Sequence, residues 1–284
     1  MAVVDRLVDL IRETSSSLPD DVVAALARAR RRERPGSSAA VVLKTILDNV
    51  ALARRTGAPL CQDTGTLTFF VDERLRRTVT PSALKKAVAR ATELGCLRRN
   101  TIDSVSGFSY DDNVAEGAPV VHYVECAAEK PKRVTLVMKG GGSENMSRQY
   151  SLPDAALGAG RDLSGVRACV LDAVQKIQGY GCAPGILGVC IGGDRATGYA
   201  VAKEQLLRPL DEKPSGDAAL RRLERGLLRD ANSLGIGPMG LGGKTTLLGV
   251  RVAARTRVPA SFFVTVAYMC WACRRRTMDF GGAK

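Results

Sequence analysis

The sequence predicts an α+β protein in which helices are mixed with mainly antiparallel sheets. Apolar residues recur with helical spacing through the first third of the chain, as Leu7, Leu10 and Ile11 do. Further along, short β-rich runs such as residues 67–71 and 262–269 fall irregularly among helical stretches. Because the regular strand–helix alternation of a doubly wound parallel sheet is missing, this pattern favours the α+β class.

The predicted helices combine an amphipathic pattern with clear signals at their ends. Asp20 is suited to cap the second helix and Pro81 to the first turn of the fourth, whereas Gly57 and Gly179 end the third and the fifth. In chain order we predict helices near residues 3–11, 20–32, 38–55, 81–98, 163–178, 196–207 and 218–233.

The predicted strands are short apolar runs bounded by glycine, proline or charged residues. In chain order they cover residues 67–71, 120–127, 133–138, 186–191, 247–253 and 262–269. The short Glu129-Lys130-Pro131 connection predicts that the second and third of these strands form an antiparallel hairpin.

Length and composition narrow the class of protein. The chain has 284 residues, 45% of them hydrophobic, which is enough for a packed core. No apolar run reaches the ~20 residues of a membrane helix, and Asp5 and Asp9 interrupt the first apolar stretch, unlike a secretory signal. We therefore expect a soluble cytoplasmic protein with no membrane partner. We expect one domain over residues 1–284, with 1–56 as a helical subregion.

The formal net charge of +13 favours encounters with anions, whether nucleic acid, acidic metabolites or an acidic partner. Aromatic residues are only 5% of the chain and do not interleave with the basic cluster of residues 28–34. Stacking platforms for bases are therefore not apparent. We expect the cluster to be a solvated helix end, and no nucleic-acid partner.

Three short motifs that are typical of nucleotide or zinc sites occur here in a sequence context that does not fit those sites. The GxGxxG run at residues 235–240 follows a helix and precedes a strand, the reverse of a dinucleotide-binding turn. Gly243-Lys244-Thr245 lacks the preceding glycine of a phosphate loop, because Pro238 stands there. The CxxC pair Cys270 and Cys273 has no second pair at zinc-finger spacing, although one of the two thiols remains a candidate metal ligand.

The eight cysteines fall into two groups by their predicted position. Cys61 and Cys182 lie in loops and Cys270 ends a strand, so three thiolates from distant parts of the sequence can converge on one point. Three cysteine ligands on a four-iron cluster would leave one iron open to act as a Lewis acid. The alternative is three buried free thiols. The others, predicted in helices or strands as core residues, are Cys96, Cys126, Cys169 and Cys190.

At these loops the sequence resembles the class I fumarases and the related L-tartrate dehydratase α subunits. The motifs that carry the resemblance are PLCQDTG at 59–65, KGGGSEN at 139–145, GGDRATG at 192–198 and GIGPMGLGGKTT at 235–246. They occur in family order over nearly the whole chain, which is far more specific than one short motif. The resemblance implies an iron–sulfur hydro-lyase α-domain-like fold. It covers the α part only; we expect the β (swivel) domain on a separate chain.

The resemblance implies an oxygen-sensitive 4Fe–4S cluster held by Cys61, Cys182 and Cys270, with one open iron. Cys270 is preferred because the family ligand stands a few residues before a basic pair, here Arg274-Arg275. Cys273 is the alternative third ligand.

The resemblance also places six residues at the substrate: Gln62, Asp63, Arg98, Gly141, Gly142 and Lys244. Asp63, with Gln62 beside it, is the candidate catalytic acid or base, whereas its alternative role is to cap the turn at Thr64. Arg98 would grip a substrate carboxylate, with Arg99 as its rival. The glycines would expose main-chain N–H groups to the anion or simply form a tight turn. Lys244 would bind the same anion or cap the glycine loop.

By this resemblance the chain is the α subunit of a two-subunit class I fumarate hydratase, an enzyme of the tricarboxylic acid cycle that hydrates fumarate reversibly to L-malate. A β subunit would complete the site, in an α2β2 assembly. The alternatives are an L-tartrate dehydratase α subunit, a basic nucleic-acid-binding or scaffold protein without a cluster, and an electron carrier, which three ligands disfavour. Many relatives have a histidine where Val258 stands here; the single histidine, His122, is predicted in the core of a strand.

Overall fold

The computed structural model describes residues 2–212 and 216–280, which fold as two compact units. The first unit contains the chain through Pro19, Asp48–Gly141, and the chain from Ala272 onward. The second contains Asp20–Leu47 and Gly142–Trp271. Helices are mixed with sheets in which most strand pairs are antiparallel, so the predicted class is confirmed.

The described residues form eight α-helices and ten strands. The helices are α1 Val3–Ser16, α2 Asp20–Arg32, α3 Ser38–Thr56, α4 Pro81–Glu93, α5 Gly141–Asn145, α6 Leu163–Ile177, α7 Arg195–Gln205 and α8 Ala218–Ser233. The strands are β1 Thr66–Asp72, β2 Thr101–Ile102, β3 Ser109–Tyr110, β4 Val120–Val124, β5 Arg133–Lys139, β6 Arg148–Ser151, β7 Gly185–Ile191, β8 Leu247–Ala254, β9 Phe263–Met269 and β10 Arg274–Asp279. None of these helices is both long and apolar enough to cross a lipid bilayer.

The first unit is built on a four-stranded sheet with strand order β10-β5-β1-β4. β5 runs antiparallel to both β1 and β10, whereas β4 runs parallel to β1. Helices α1 and α4 belong to the same core, in which Leu10, Phe69, Leu84 and Leu136 are fully buried. Thr80 caps α4 by accepting the Ala83 N–H at 3.2 Å, and Pro81 occupies its first turn as predicted.

The topology of this sheet differs from the predicted hairpin. β4 and β5 both form, but β1 lies between them, so they do not pair with each other. The prediction was wrong because a short connection favours a hairpin only when no other strand competes for the edge. Here Phe69 of β1 lies opposite Val121 on one side and Leu136 on the other.

The second unit is built on a sheet with strand order β6-β9-β7-β8. Its central strand β7 is buried along its whole length, as expected for a strand covered on both faces. Helices α6, α7 and α8 pack on this sheet. Each begins with an aspartate cap that accepts main-chain N–H groups: Asp162, Asp194 and Asp217.

Two differences from the sequence prediction concern the site. The fourth helix ends at Glu93 rather than 98, which leaves Arg98 and Arg99 in an irregular segment. The strand β10 was not predicted at all, because three consecutive arginines at its start lack the apolar, β-branched pattern of a strand. Yet Arg274 is 1% exposed.

Candidate active site

Three chain segments of the first unit meet at one edge of its sheet. Thr66, which begins β1, lies opposite Lys139, which ends β5. Arg274, which begins β10, lies opposite Met138. The antiparallel register therefore brings the Cys61–Asp63 loop, the glycine run after β5 and Arg274 to the same edge.

The loop that carries Cys61 is anchored just before the cysteine. Leu60 donates its N–H to the Ser15 carbonyl at 2.9 Å, and its own carbonyl accepts from Asn49 Nδ2 at 3.0 Å. Cys61 is half-buried and Gln62 is exposed. A fixed main chain therefore presents both side chains beyond the anchor.

Asp63 is held at two points. Its carboxylate Oδ2 accepts the Gly141 N–H at 2.8 Å, and its main-chain carbonyl accepts Arg274 Nη2 at 2.7 Å. The carboxylate thus reaches the glycine run instead of capping the turn at Thr64. A half-buried carboxylate in a fixed orientation is suited to proton transfer.

The glycine run makes room for that carboxylate. A Cβ atom on residue 140 would lie 2.7 Å from Asp63 Oδ2, so any larger residue here would displace the carboxylate from this position. Gly141 uses its N–H to hold Asp63, and a Cβ on Gly142 would meet no atom within 4 Å.

Arg274 is a buried cation that the sequence analysis did not select. Besides Nη2, which binds the Asp63 carbonyl, its Nε and Nη1 atoms have no hydrogen-bond partner among the described residues. A buried guanidinium with unsatisfied donors is costly and marks a place where a further acceptor would be stabilised. Its signal in the sequence was slight: an arginine directly after Cys273, in a segment that was not predicted as a strand.

A cavity of about 720 Å³ opens beside Asp63 within the first unit. Its wall includes Asp63 and Gly141 together with the polar side chains of Asn100, Tyr110 and Asn113. This size is ordinary for a small-molecule site. Gln62 and Arg98 are not among the lining residues.

Asn113 organises the segment beside this cavity and was also missed. It is buried, has a positive φ of 59°, and accepts the N–H groups of Asn100 and Thr101 at 2.9 and 3.1 Å. Its amide donates to Thr92 Oγ1 at 3.0 Å and to the Arg98 carbonyl at 2.9 Å. An asparagine between Asp112 and Val114 carried no sequence signal beyond its tolerance of this conformation.

The two rival arginines have different surroundings. Arg99 Nη1 pairs with Asp111 Oδ1 at 3.2 Å on the exposed surface. The main chain of Arg98 is fixed by the Thr64 hydroxyl, which accepts its N–H at 3.3 Å, while its side chain is exposed. The Arg98 guanidinium makes no hydrogen bond or ion pair with another described residue, which leaves it available to a ligand.

Cys182 and Cys270 lie together in the second unit for a topological reason. β7 and β9 are antiparallel, and Ile186 near the start of β7 lies opposite Met269 at the end of β9. The loop before β7 carries Cys182 and the residue after β9 is Cys270. The Trp271 N–H donates to the Cys182 carbonyl at 3.3 Å, which joins the two segments directly.

Both thiols are accessible. Cys182 is exposed and has a positive φ of 51°, whereas Cys270 is half-buried. The Cys270 N–H donates to the hydroxyl of Ser143, a buried residue of the KGGGSEN motif, at 3.1 Å. Ser143 therefore positions Cys270 and was not selected from the sequence.

Tyr268 packs against the same loop. Its side chain is 1% exposed, and a Cβ on Gly181 or Gly185 would lie 2.5 or 2.3 Å from its ring. Its hydroxyl has no hydrogen-bond partner among the described residues. Burial raises the pKa of Tyr268 well above the ordinary value, and the nearby charges of Cys270 and Cys182 act in the same direction.

Most of the remaining cysteines are core residues, as predicted. Cys96, Cys169 and Cys190 are buried, and burial raises the pKa of the Cys169 thiol to about 11, so it stays a thiol. Cys273 is fully buried. The core prediction was wrong for Cys126, which follows β4 and is exposed.

The core prediction was also wrong for His122. The residue lies on β4 as expected, but β4 is the outer strand of its sheet and the side chain is exposed. It stacks on Phe70 with ring centroids 5.2 Å apart. An exposed ring stacked on its neighbour gives no indication of a catalytic role.

Lys244 is fixed through its main chain. Its N–H donates to both carboxylate oxygens of Glu33, at 2.9 and 3.0 Å, while the lysine side chain is exposed. Glu33 is buried, although the arginines around it form the solvated helix end that was predicted. Because Glu33 stands among exposed arginines, nothing in the sequence indicated that it is buried and binds the glycine loop at Lys244.

The donor set suits an iron–sulfur group. Cys182 is exposed and Cys270 half-buried, and the buried hydroxyl of Tyr268, on the strand that leads to Cys270, has no hydrogen-bond partner among the described residues, as expected where a further group binds. Within the described residues, no three side chains of histidine, cysteine, aspartate or glutamate form a ready metal site. The set of three cysteines therefore stays a prediction.

Comparison with known proteins identifies the family. The family model described as fumarate hydratase (Fumerase) matches residues 4–279. A Geobacillus stearothermophilus protein named "Putative fumarate hydratase class I" is 48% identical over 276 residues, covering 95% of this chain and 53% of that protein. The Escherichia coli K12 L(+)-tartrate dehydratase subunit alpha is 30% identical over 270 residues, covering 93% of this chain and 86% of that subunit.

The two relatives are named as a fumarate hydratase and as a subunit of a tartrate dehydratase. The chain belongs to the fumarate hydratase (Fumerase) family. It spans about half the length of the Geobacillus relative and most of the length of the tartrate dehydratase α subunit.

Proposed function

We propose that this chain is the α subunit of a two-subunit hydro-lyase that hydrates fumarate reversibly to L-malate. The observation that carries the proposal is the fixed Asp63 carboxylate, which directly follows the Cys61-Gln62 pair and belongs to a residue that lines a cavity of small-molecule size. The 48% identity to a relative named for this activity supports the choice of substrate.

Asp63 is the group that moves the proton. Addition of water across a carbon–carbon double bond delivers a proton to one carbon, and removal takes it back. Hydrogen bonds from the Gly141 N–H and from Arg274 hold Asp63 in one orientation. The carboxylate is therefore in the same position for hydration and for dehydration. Gln62 lies next to it on the exposed side of the loop.

Cys61, Cys182 and Cys270 would hold a 4Fe–4S cluster. When bound, it supplies one iron without a protein ligand, which acts as a Lewis acid toward substrate oxygen. The accessible positions of Cys182 and Cys270, against the full burial of Cys273, support this choice of ligands.

The remaining contacts hold the dicarboxylate. The unpaired, exposed Arg98 guanidinium would bind one carboxylate through two parallel hydrogen bonds. Gly142 would offer its main chain to the anion and Lys244 its exposed ammonium group. The high positive charge of the chain favours the approach of a dianion.

A β subunit would supply the rest of the site. The tartrate dehydratase relative is named as a subunit alpha, and this chain covers most of it. We propose an α2β2 assembly in which residues 1–284 provide the cluster-binding part.

L-tartrate dehydration is the second candidate. The observation that favours it is the 30% identity over 270 residues to a tartrate dehydratase α subunit, of which this chain covers 86%. Both reactions use the same proton transfer. They differ in one hydroxyl of the substrate, which a few placed polar groups distinguish.

The proposal is tested by preparing the chain with its β subunit without oxygen and comparing kcat/KM for fumarate, L-malate and L-tartrate. We expect a 4Fe–4S signal in the reduced protein whose EPR spectrum changes on addition of L-malate, and fumarate as the preferred substrate. Preference for L-tartrate would select the second candidate. A protein that takes up no cluster on reconstitution would contradict both, and salt-dependent polyanion binding would then support a basic binding protein.

A separate prediction concerns Arg98. Substituting Arg98→Lys keeps the charge but removes the planar fork, so we expect KM for the dicarboxylate to rise about 10- to 100-fold with a smaller change in kcat. The matched variant Arg99→Lys, which alters only the surface pair with Asp111, should change KM less than about twofold. A loss confined to Arg99→Lys would assign the carboxylate contact to Arg99.

A further inference from the structure

Tyr268 presents a polar group that the protein leaves unsatisfied. Its side chain is 1% exposed, and its hydroxyl has no hydrogen-bond partner among the described residues. Buried tyrosine hydroxyls normally find an acceptor. Tyr150 in the same unit does so, since its hydroxyl donates to Asp172 Oδ2 at 2.7 Å.

The packing fixes where the Tyr268 hydroxyl lies. A Cβ on Gly185 would be 2.4 Å from the hydroxyl oxygen, and a Cβ on Gly181 would be 2.8 Å from the ring carbon that carries it. These two glycines flank Cys182 in the sequence. The hydroxyl end of the ring is therefore pressed against the loop that carries this cysteine.

The second cysteine, Cys270, follows the strand that carries Tyr268. Tyr268 lies on β9 two residues before Cys270, and the Trp271 N–H binds the Cys182 carbonyl at 3.3 Å. The chain thus folds both cysteine segments around one aromatic ring. A tyrosine hydroxyl can donate a hydrogen bond, and the sulfide of a cluster can accept one.

We propose that the Tyr268 hydroxyl donates a hydrogen bond to sulfur at the Cys182–Cys270 site and thereby raises the reduction potential of the iron–sulfur cluster bound there. The inference rests on the proposed function. A hydrogen bond to sulfur stabilises the more negative, reduced state of a cluster. A higher potential makes loss of an electron to oxidants less favourable, so Tyr268 would protect an open-iron cluster that a hydro-lyase needs intact.

The test compares wild type, Tyr268→Phe and Tyr180→Phe in the full chain after anaerobic reconstitution with iron and sulfide. Phenylalanine at 268 keeps the ring that packs on the glycines and removes only the hydroxyl. Tyr180 belongs to the same loop but is 77% exposed, so its variant is the matched control. The readouts are iron content, the midpoint potential from EPR-monitored titration, and exchangeable-proton couplings measured by ENDOR in H₂O and D₂O.

We expect Tyr268→Phe to bind the same amount of iron, to have a lower midpoint potential, and to lack one exchangeable-proton coupling that wild type and Tyr180→Phe retain. Its cluster should also decay several-fold faster in air. A cluster-bearing Tyr268→Phe with the wild-type potential would overturn the inference while leaving the proposed function intact.

A wild-type protein or a Tyr268→Phe variant that binds no cluster also decides the question. If wild type binds none, the proposed cofactor fails first. If only Tyr268→Phe binds none and its apoprotein unfolds at the wild-type temperature, the hydroxyl is needed for cluster binding itself, and the inference that it sets the potential is overturned. If its unfolding temperature also falls, Tyr268 serves packing alone and the inference is overturned.

Discussion

Replacing Asp63 with asparagine is expected to lower kcat for fumarate hydration by about 10²- to 10⁴-fold, the usual contribution of a positioned acid or base. The amide oxygen of asparagine can still accept the Gly141 N–H that Asp63 Oδ2 accepts at 2.8 Å, so the loop should keep its geometry. Only the capacity to move a proton is lost. Steady-state rates in both directions, measured with the β subunit present, check this expectation.

The control for Asp63→Asn is Asp9→Asn, which removes a carboxylate from a surface pair with Arg12 on α1. We expect that variant to keep wild-type rates. Both variants should bind iron normally, since neither change touches a cysteine. Wild-type kcat in Asp63→Asn with a full cluster content would remove Asp63 from the mechanism and leave the proton transfer to the partner subunit.

Replacing Cys270 with alanine is expected to reduce cluster content to about a tenth of wild type or less, because a three-cysteine site has no spare ligand. Alanine at Cys273 should leave the cluster in place. Cys273 is fully buried, whereas Cys270 is half-buried and follows the end of β9. Iron and sulfide analysis with the EPR signal of the reduced protein provides the measurement.

The two cysteine variants form a matched pair, because each removes one sulfur atom and the two positions are only three residues apart. Cys273→Ala leaves a small core cavity, so its unfolding temperature should fall modestly while its iron content stays high. The reverse pattern, with iron lost only from Cys273→Ala, would make Cys273 the third ligand. Equal retention in both variants would contradict a cluster ligated by this segment.

Most helices could be predicted from the sequence because capping residues mark where they begin. Asp162 and Asp217 cap α6 and α8, which begin where the periodicity predicted. Strand pairing was less accessible, since a strand's neighbours depend on segments far away in the chain. Local spacing therefore gave β4 and β5 individually but not the insertion of β1 between them.

In the candidate site, too, contiguous motifs could be found from the sequence, whereas contacts between residues far apart in the chain could not. The loops of Cys61 and Lys244 were recognisable because they are contiguous motifs. Ser143 stood inside one of them, but its contact with Cys270 required the fold. Asn113, Glu33 and Arg274 act through hydrogen bonds with main-chain atoms distant in the sequence, and nothing in their own sequence neighbourhoods marks them.

The approach of Asp63 to Gly140 has a consequence for recognising distant members of the family. The carboxylate occupies the volume that any side chain at residue 140 would need. A sequence can therefore keep an aspartate with this orientation only if it also keeps a glycine at the end of β5. The two positions must be kept together although five strands, β1 to β5, lie between them in the sequence, and a search that requires the pair would discriminate better than either short motif.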